Sequence, residues 1–117
     1  GAEALEASLS REDLRRIQRD AQTVATADML LDYVQRITGY TRSAPEFAHG
    51  LSPRGALALV ASARTWAYME GRSHVVPEDV QAVLLAVVSH RLRGTSEFSG
   101  DGRALAERLM TQVDIFG

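Results

Sequence analysis

Among the residues able to do chemistry, Arg54 is the one whose position demands an explanation, in the run Ser52-Pro53-Arg54. Ser52 reads as a helix N-cap and Pro53 as the first helical residue, where a missing N–H costs nothing. Arg54 then falls in a first turn, where free N–H groups and aligned peptide dipoles make the local potential positive. A cation there is worse than an acid by a few tenths to about 1 kcal/mol. Two other helix starts obey the electrostatic rule, with Glu12-Asp13 and Glu78-Asp79. A bound anion explains the exception, because N–H groups, dipole and guanidinium fork would converge on a phosphate. Gly55, lacking a Cβ, would let backbone or ligand come close. A salt bridge to a loop carboxylate such as Glu46, or plain exposure to solvent, explains Arg54 equally well.

The remaining reactive residues carry less. His49, His74 and His90 are far apart, and none has a second ligand at i+3 or i+4, so no metal site is expected. There is no Gly-X-Ser-X-Gly elbow, and the serines sit at caps and loops. The two carboxylate pairs lie in first turns, where the helix dipole accounts for them. All 13 basic residues are arginine, so the sequence has no Walker A, Schiff-base or general-base lysine. No self-contained enzyme is expected. The absence of cysteine excludes disulfides and thiolate metal sites and fits a cytoplasmic protein. Gly1-Ala2-Glu3-Ala4 does not resemble a signal peptide, and no apolar run approaches the ~20 residues of a membrane span. Arg11, Arg15, Arg16 and Arg19 give the first helix a basic face. Acids interrupt that face, no aromatic residue joins it and the net charge is -2, so it suits a protein partner better than nucleic acid.

The elements that position these residues are helical throughout. The pattern predicts an all-α bundle of four to five helices in one domain, with residues 1–9 frayed, 10–93 the main helical unit, and 94–117 a loop plus a C-terminal helix packed on it. Ser10 caps a helix over 11–22 whose inner face is Leu14, Ile17, Ala21 and Val24. Thr26 is the expected cap of a second helix carrying Leu30, Tyr33, Val34 and Ile37 and ending by about residue 43. The third helix runs from Ser52-Pro53 to about Glu70, with Gly71 placed as its C′ residue. Its apolar positions, including Leu57 and Trp66, wrap most of the circumference, which marks a central helix. His74-Val75-Val76 reads as an extended link. A fourth helix opens at Pro77-Glu78-Asp79 and presents Val80, Val83, Leu84, Val87, Val88 and Arg91 on one stripe. A weaker fifth covers roughly 101–113, with Leu105, Leu109, Met110 and Val113 inward.

Gly50-Leu51-Ser52-Pro53-Arg54-Gly55, Ala61-Ser62-Ala63-Arg64, Glu70-Gly71-Arg72, Val75-Val76-Pro77-Glu78-Asp79-Val80 and His90-Arg91-Leu92 together resemble the C-terminal lid of MoxR-type AAA+ ATPases. Thr41-Arg42 at the end of the second helix fits the same pattern, and the resemblance covers about residues 9–93. It implies a nucleotide sensor that closes over ATP held by a separate α/β domain, with Arg54 as the sensor-2 residue approaching the γ-phosphate and Ser52, Pro53 and Gly55 forming its helix start. Leu51 and Gly55 stand where the family usually has alanine, and Val76 where a threonine would cap the fourth helix. The sequence has no Gly-rich P-loop and no strand ending in Mg²⁺-binding acids. ATP and Mg²⁺ are therefore expected only in a longer parent protein, of which this chain would be a piece. The resemblance further implies a hexameric, chaperone-like remodelling ATPase, often beside a von Willebrand factor A partner. Two alternatives come from other classes: a free-standing helical adaptor using the Arg11-Arg15-Arg19 face, and a histone-like DNA-binding module.

Overall fold

The computed structural model describes residues 10–44, 50–92 and 102–116, with side chains for 10–44, 50–86 and 106–116. Expectations for residues 1–9, His49, the 94–100 loop and the side chains of Val87, Val88, His90, Arg91, Arg93 and Leu105 lie outside these. The described residues form an all-α bundle of five helices: α1 (Arg11–Ala21), α2 (Asp28–Ser43), α3 (Pro53–Met69), α4 (Pro77–Leu92) and α5 (Gly102–Gln112). Helix α3 packs on α1, α2 and α4, while α5 lies against α4 and α2.

Local chemistry sets most helix ends. Ser10 closes a full capping box on α1: its hydroxyl accepts from the Asp13 N–H at 3.1 Å, and the Asp13 carboxylate accepts from the Ser10 N–H at 3.3 Å. Gly71 ends α3 with φ +81, a conformation that favours glycine. The Gly71 N–H then donates to Tyr68 O and the Arg72 N–H to Ala67 O, each at 2.9 Å, which is the Schellman pattern. Thr26, expected to cap α2, does not. Ala27 is the N-cap and has no side-chain bond; the Thr26 hydroxyl instead accepts from Arg64 of α3 at 3.2 Å.

The core gathers Val24, Leu30, Tyr33, Val34, Ile37, Leu59, Val60, Ala63, Ala67, Val75, Val80, Val83, Leu84, Leu109 and Val113. Tyr33 is fully enclosed, and the Gln81 amide donates to its hydroxyl at 3.3 Å. The extended link pairs in parallel with the α1–α2 connection: the Ala25 N–H donates to Ser73 O and the Val75 N–H to Ala25 O, both at 3.0 Å. Past α5 the chain is held by Arg36 of α2, whose Nη2 donates to the carbonyls of Asp114 at 3.0 Å and Ile115 at 2.7 Å. The expected inner faces hold in part. Leu14 of α1 is 44% exposed, and Leu57 and Trp66 of α3 are 73% and 41% exposed, so α3 packs on three neighbours yet leaves part of its circumference open. No helix of the described residues is long and apolar enough to cross a membrane.

Candidate functional site

The start of α3 is built from the end of α2. The Thr41 side chain is buried, donates to Thr38 O at 2.7 Å and accepts from the Leu51 N–H at 2.9 Å. Arg42 Nε donates to Leu51 O at 3.3 Å. At Gly50 a Cβ would come within 2.6 Å of Arg42 Cγ and 2.8 Å of its Cα, so only glycine lets the chain pass this close to α2. Leu51, half-buried, packs against the core. Both hydrogen-bonding groups of Leu51 are thus fixed by α2, and the next residue is Ser52.

Ser52 is the N-cap of α3 and Pro53 its first residue, as the sequence predicts. The Ser52 hydroxyl accepts from the Gly55 N–H at 3.0 Å, and its carbonyl accepts from the Ala56 N–H at 2.8 Å. Proline has no N–H to offer. Among the described residues the turn therefore presents two uncommitted N–H groups, those of Ser52 and Arg54. The space at Gly55 is also already used: a Cβ there would lie 3.0 Å from Leu51 Cδ1 and 3.3 Å from Ser52 Oγ. Gly55 accommodates the cap and Leu51, not an incoming ligand.

Arg54 occupies the second position of α3, exposed, and has no ion pair or hydrogen bond among the described residues. Glu46, its candidate partner across the loop, lies outside them. An exposed guanidinium beside the free N–H groups of a pinned helix start can meet an anion approaching from solvent.

A second polar centre, at the α3–α4 elbow, went unread in the sequence. Asp79 is 1% exposed. Its Oδ2 accepts from the Val76 N–H at 2.8 Å, and its Oδ1 receives Arg72 Nη2 in an ion pair. The helix dipole alone thus does not account for Asp79: its carboxylate caps α4 in place of a side chain at Val76 and anchors the residue after the Gly71 turn. Gly71-Arg72 followed by Pro77-Glu78-Asp79 was the available signal. His74 is exposed, and no group of three or more His, Cys, Asp or Glu could hold a metal ion among the described residues. On α1, Asp13 is held below its ordinary value by the Ser10 hydroxyl and N–H and by Arg16 nearby, while Asp20 accepts from the Tyr68 hydroxyl at 3.2 Å and pushes that phenol up.

Residues 39–112 match the AAA lid domain family. The match runs through α5, beyond the 9–93 expected of the resemblance, and leaves α1 outside. An uncharacterized protein YeaC of Bacillus subtilis is 32% identical over 116 residues, covering 97% of this chain and 36% of the relative. Chaperone MoxR1 of Mycobacterium tuberculosis is 34% identical over 116 residues, covering 92% of this chain and 29% of the relative. Protein MoxR of Paracoccus denitrificans is 54% identical over 43 residues, 37% of this chain and 13% of that one. The chain thus spans about a third of the length of the first two curated relatives. No solved structure matches it. The chain belongs to the AAA lid domain family, as a lid of the MoxR type.

Proposed function

We propose that this lid is the sensor-2 element of a MoxR-family AAA+ ATPase. In this reading Arg54 approaches the γ-phosphate of ATP, which a P-loop domain of the same parent chain holds with Mg²⁺. The observation that carries it is Arg54 itself, exposed and unpaired among the described residues at the second position of α3. Family membership supports it, because lids of this kind belong to AAA+ ATPase chains. The bonds from Thr41 and Arg42 to Leu51 link the sensor to α2, so a pull on Arg54 is shared with the rest of the bundle. The parent would then act as a cytoplasmic, hexameric, chaperone-like remodelling ATPase, with closure of the lid passed around the ring and a von Willebrand factor A protein as its partner.

Arg54→Ala in the full-length parent tests this. Turnover should fall on the order of 10²-fold, the loss seen when one charge-stabilising donor is removed, while far-UV circular dichroism of the lid stays unchanged. Unchanged turnover refutes the assignment. The 117-residue chain alone should show no ATPase activity, and micromolar ATP binding by calorimetry would contradict a sensor that supplies only half of a site.

A further inference from the structure

About 15 Å along α3 from Arg54, ten residues at 1.5 Å each, a second arginine is left without a counter-ion. Arg64 lines a groove of about 300 Å³ between α1 and α3, together with Gln18, Gln22, Ser62, Thr65 and two alanines. One Nη2 proton goes to the Thr26 hydroxyl at 3.2 Å, which holds the guanidinium in place. Its Nε is sealed from solvent without a partner, and no carboxylate of the described residues reaches it. A half-buried, poorly solvated cation gains more from an anion than a fully hydrated surface arginine does. The protons still available to a ligand are those of Nη1 and the second of Nη2.

The α1 wall reinforces the sign of the groove. Arg11, Arg15, Gln18 and Gln22 recur at i, i+4, i+7 and i+11, one stripe of the helix with no acid on it. Of the acids of α1, Asp13 is paired with Arg16 at 3.1 Å and Asp20 with Tyr68, while Glu12 falls off this stripe. The Gln18 and Gln22 amides on one wall and the Ser62 hydroxyl on the other can donate to carboxylate oxygens, whereas the Thr65 hydroxyl is committed to Ala61 O at 3.2 Å, and the groove has room for side chains but offers no aromatic face for a base. We propose that the α1–α3 groove receives an acidic segment of a partner polypeptide, with an aspartate or glutamate carboxylate on Arg64 and neighbouring acids on Arg11 and Arg15. The site is separate from the sensor assigned to Arg54 and stands whether or not that assignment does.

Titrating the isotope-labelled 117-residue chain with a hexaglutamate peptide, and following backbone amide shifts, tests this. Saturable shifts should appear at Gln18, Gln22, Ser62 and Thr65, and be absent with hexaglutamine. Arg64→Gln should weaken binding about tenfold or more, equal to about 1.4 kcal/mol. Ser62→Trp, which fills the groove and keeps Arg64, should do the same and serves if Arg64→Gln unfolds. Undiminished binding in a folded variant overturns the proposal, as do shifts confined to the Arg54 turn. Equal shifts with inorganic phosphate at matched concentration would mark a free-anion site and refute the acidic segment.

Discussion

Removing the Asp79 carboxylate should unlock the elbow that sets the angle between α3 and α4. Asp79→Ala deletes three interactions at once. The hydrogen bond from the Val76 N–H, a capping interaction at 2.8 Å, contributes about 1 kcal/mol. A negative charge in the first turn of α4 adds about 0.5 kcal/mol. The ion pair with Arg72 would contribute 3–5 kcal/mol if both ends were buried, but the Arg72 side chain is 34% exposed and can return to water, so about 1 kcal/mol is appropriate. The expected loss is about 2–3 kcal/mol, read by urea unfolding, with a fall in melting temperature of roughly 8–12 °C for a domain of this size. Asp79→Asn keeps an acceptor for Val76 and should lose less, about 1–2 kcal/mol. Arg72→Ala leaves a carboxylate of 1% exposure without its counter-ion, so the double variant should be milder than the two single losses combined by about 1 kcal/mol. A loss below about 1 kcal/mol in Asp79→Ala, or strict additivity in the cycle, refutes the elbow as described.

Thr41→Val removes both the donor to Thr38 and the acceptor for Leu51 while keeping the side-chain shape. It should destabilise the lid by about 1–3 kcal/mol, because the Leu51 N–H is left in a half-buried place; in the full-length parent it should lower ATP turnover by loosening the turn that carries Arg54. Acid unfolding should depend on Asp13. Its folded pKa lies below the ordinary 3.8, so its contribution is complete above that value and is lost as pH falls through the lower folded value. Asp13→Asn should therefore flatten the stability curve below pH 3.8 when followed by circular dichroism, and an unchanged curve would show that the capping box has no part in it.

How much of this was legible in the sequence depended on how local each interaction is. Ser10, Ser52, Pro53, Pro77 and Gly71 act within one turn of their own position, and their residue types suffice to locate helix ends. Thr26 has the right chemistry for a cap, yet Arg64, thirty-eight residues away, takes its hydroxyl. Asp79 had an adequate local explanation in the dipole, which hid the ion pair with Arg72. Leu57 and Trp66 were assigned to the core because α3 is apolar nearly all round, but periodicity cannot reveal which side of a central helix lacks a neighbour. Thr38 carries no signal and Thr41 only its place in the family pattern, since a threonine bonding back along its own helix looks the same in sequence as one facing solvent.

The helix start around Arg54 shows why the guanidinium, rather than the helix end, must carry any recognition of phosphate. An ordinary anion-binding helix offers several free N–H groups converging on one point. Here proline removes one, the Ser52 hydroxyl occupies that of Gly55, and the helix itself occupies that of Ala56. The capping that makes the turn rigid is the same chemistry that withdraws its donors. What is left is the N–H groups of Ser52 and Arg54 and a side chain with five donors of its own. Such an arrangement binds weakly when the guanidinium is alone and strongly only where other groups already hold the anion. The proposed sensor role requires that behaviour, a response to a nucleotide bound elsewhere without retaining one.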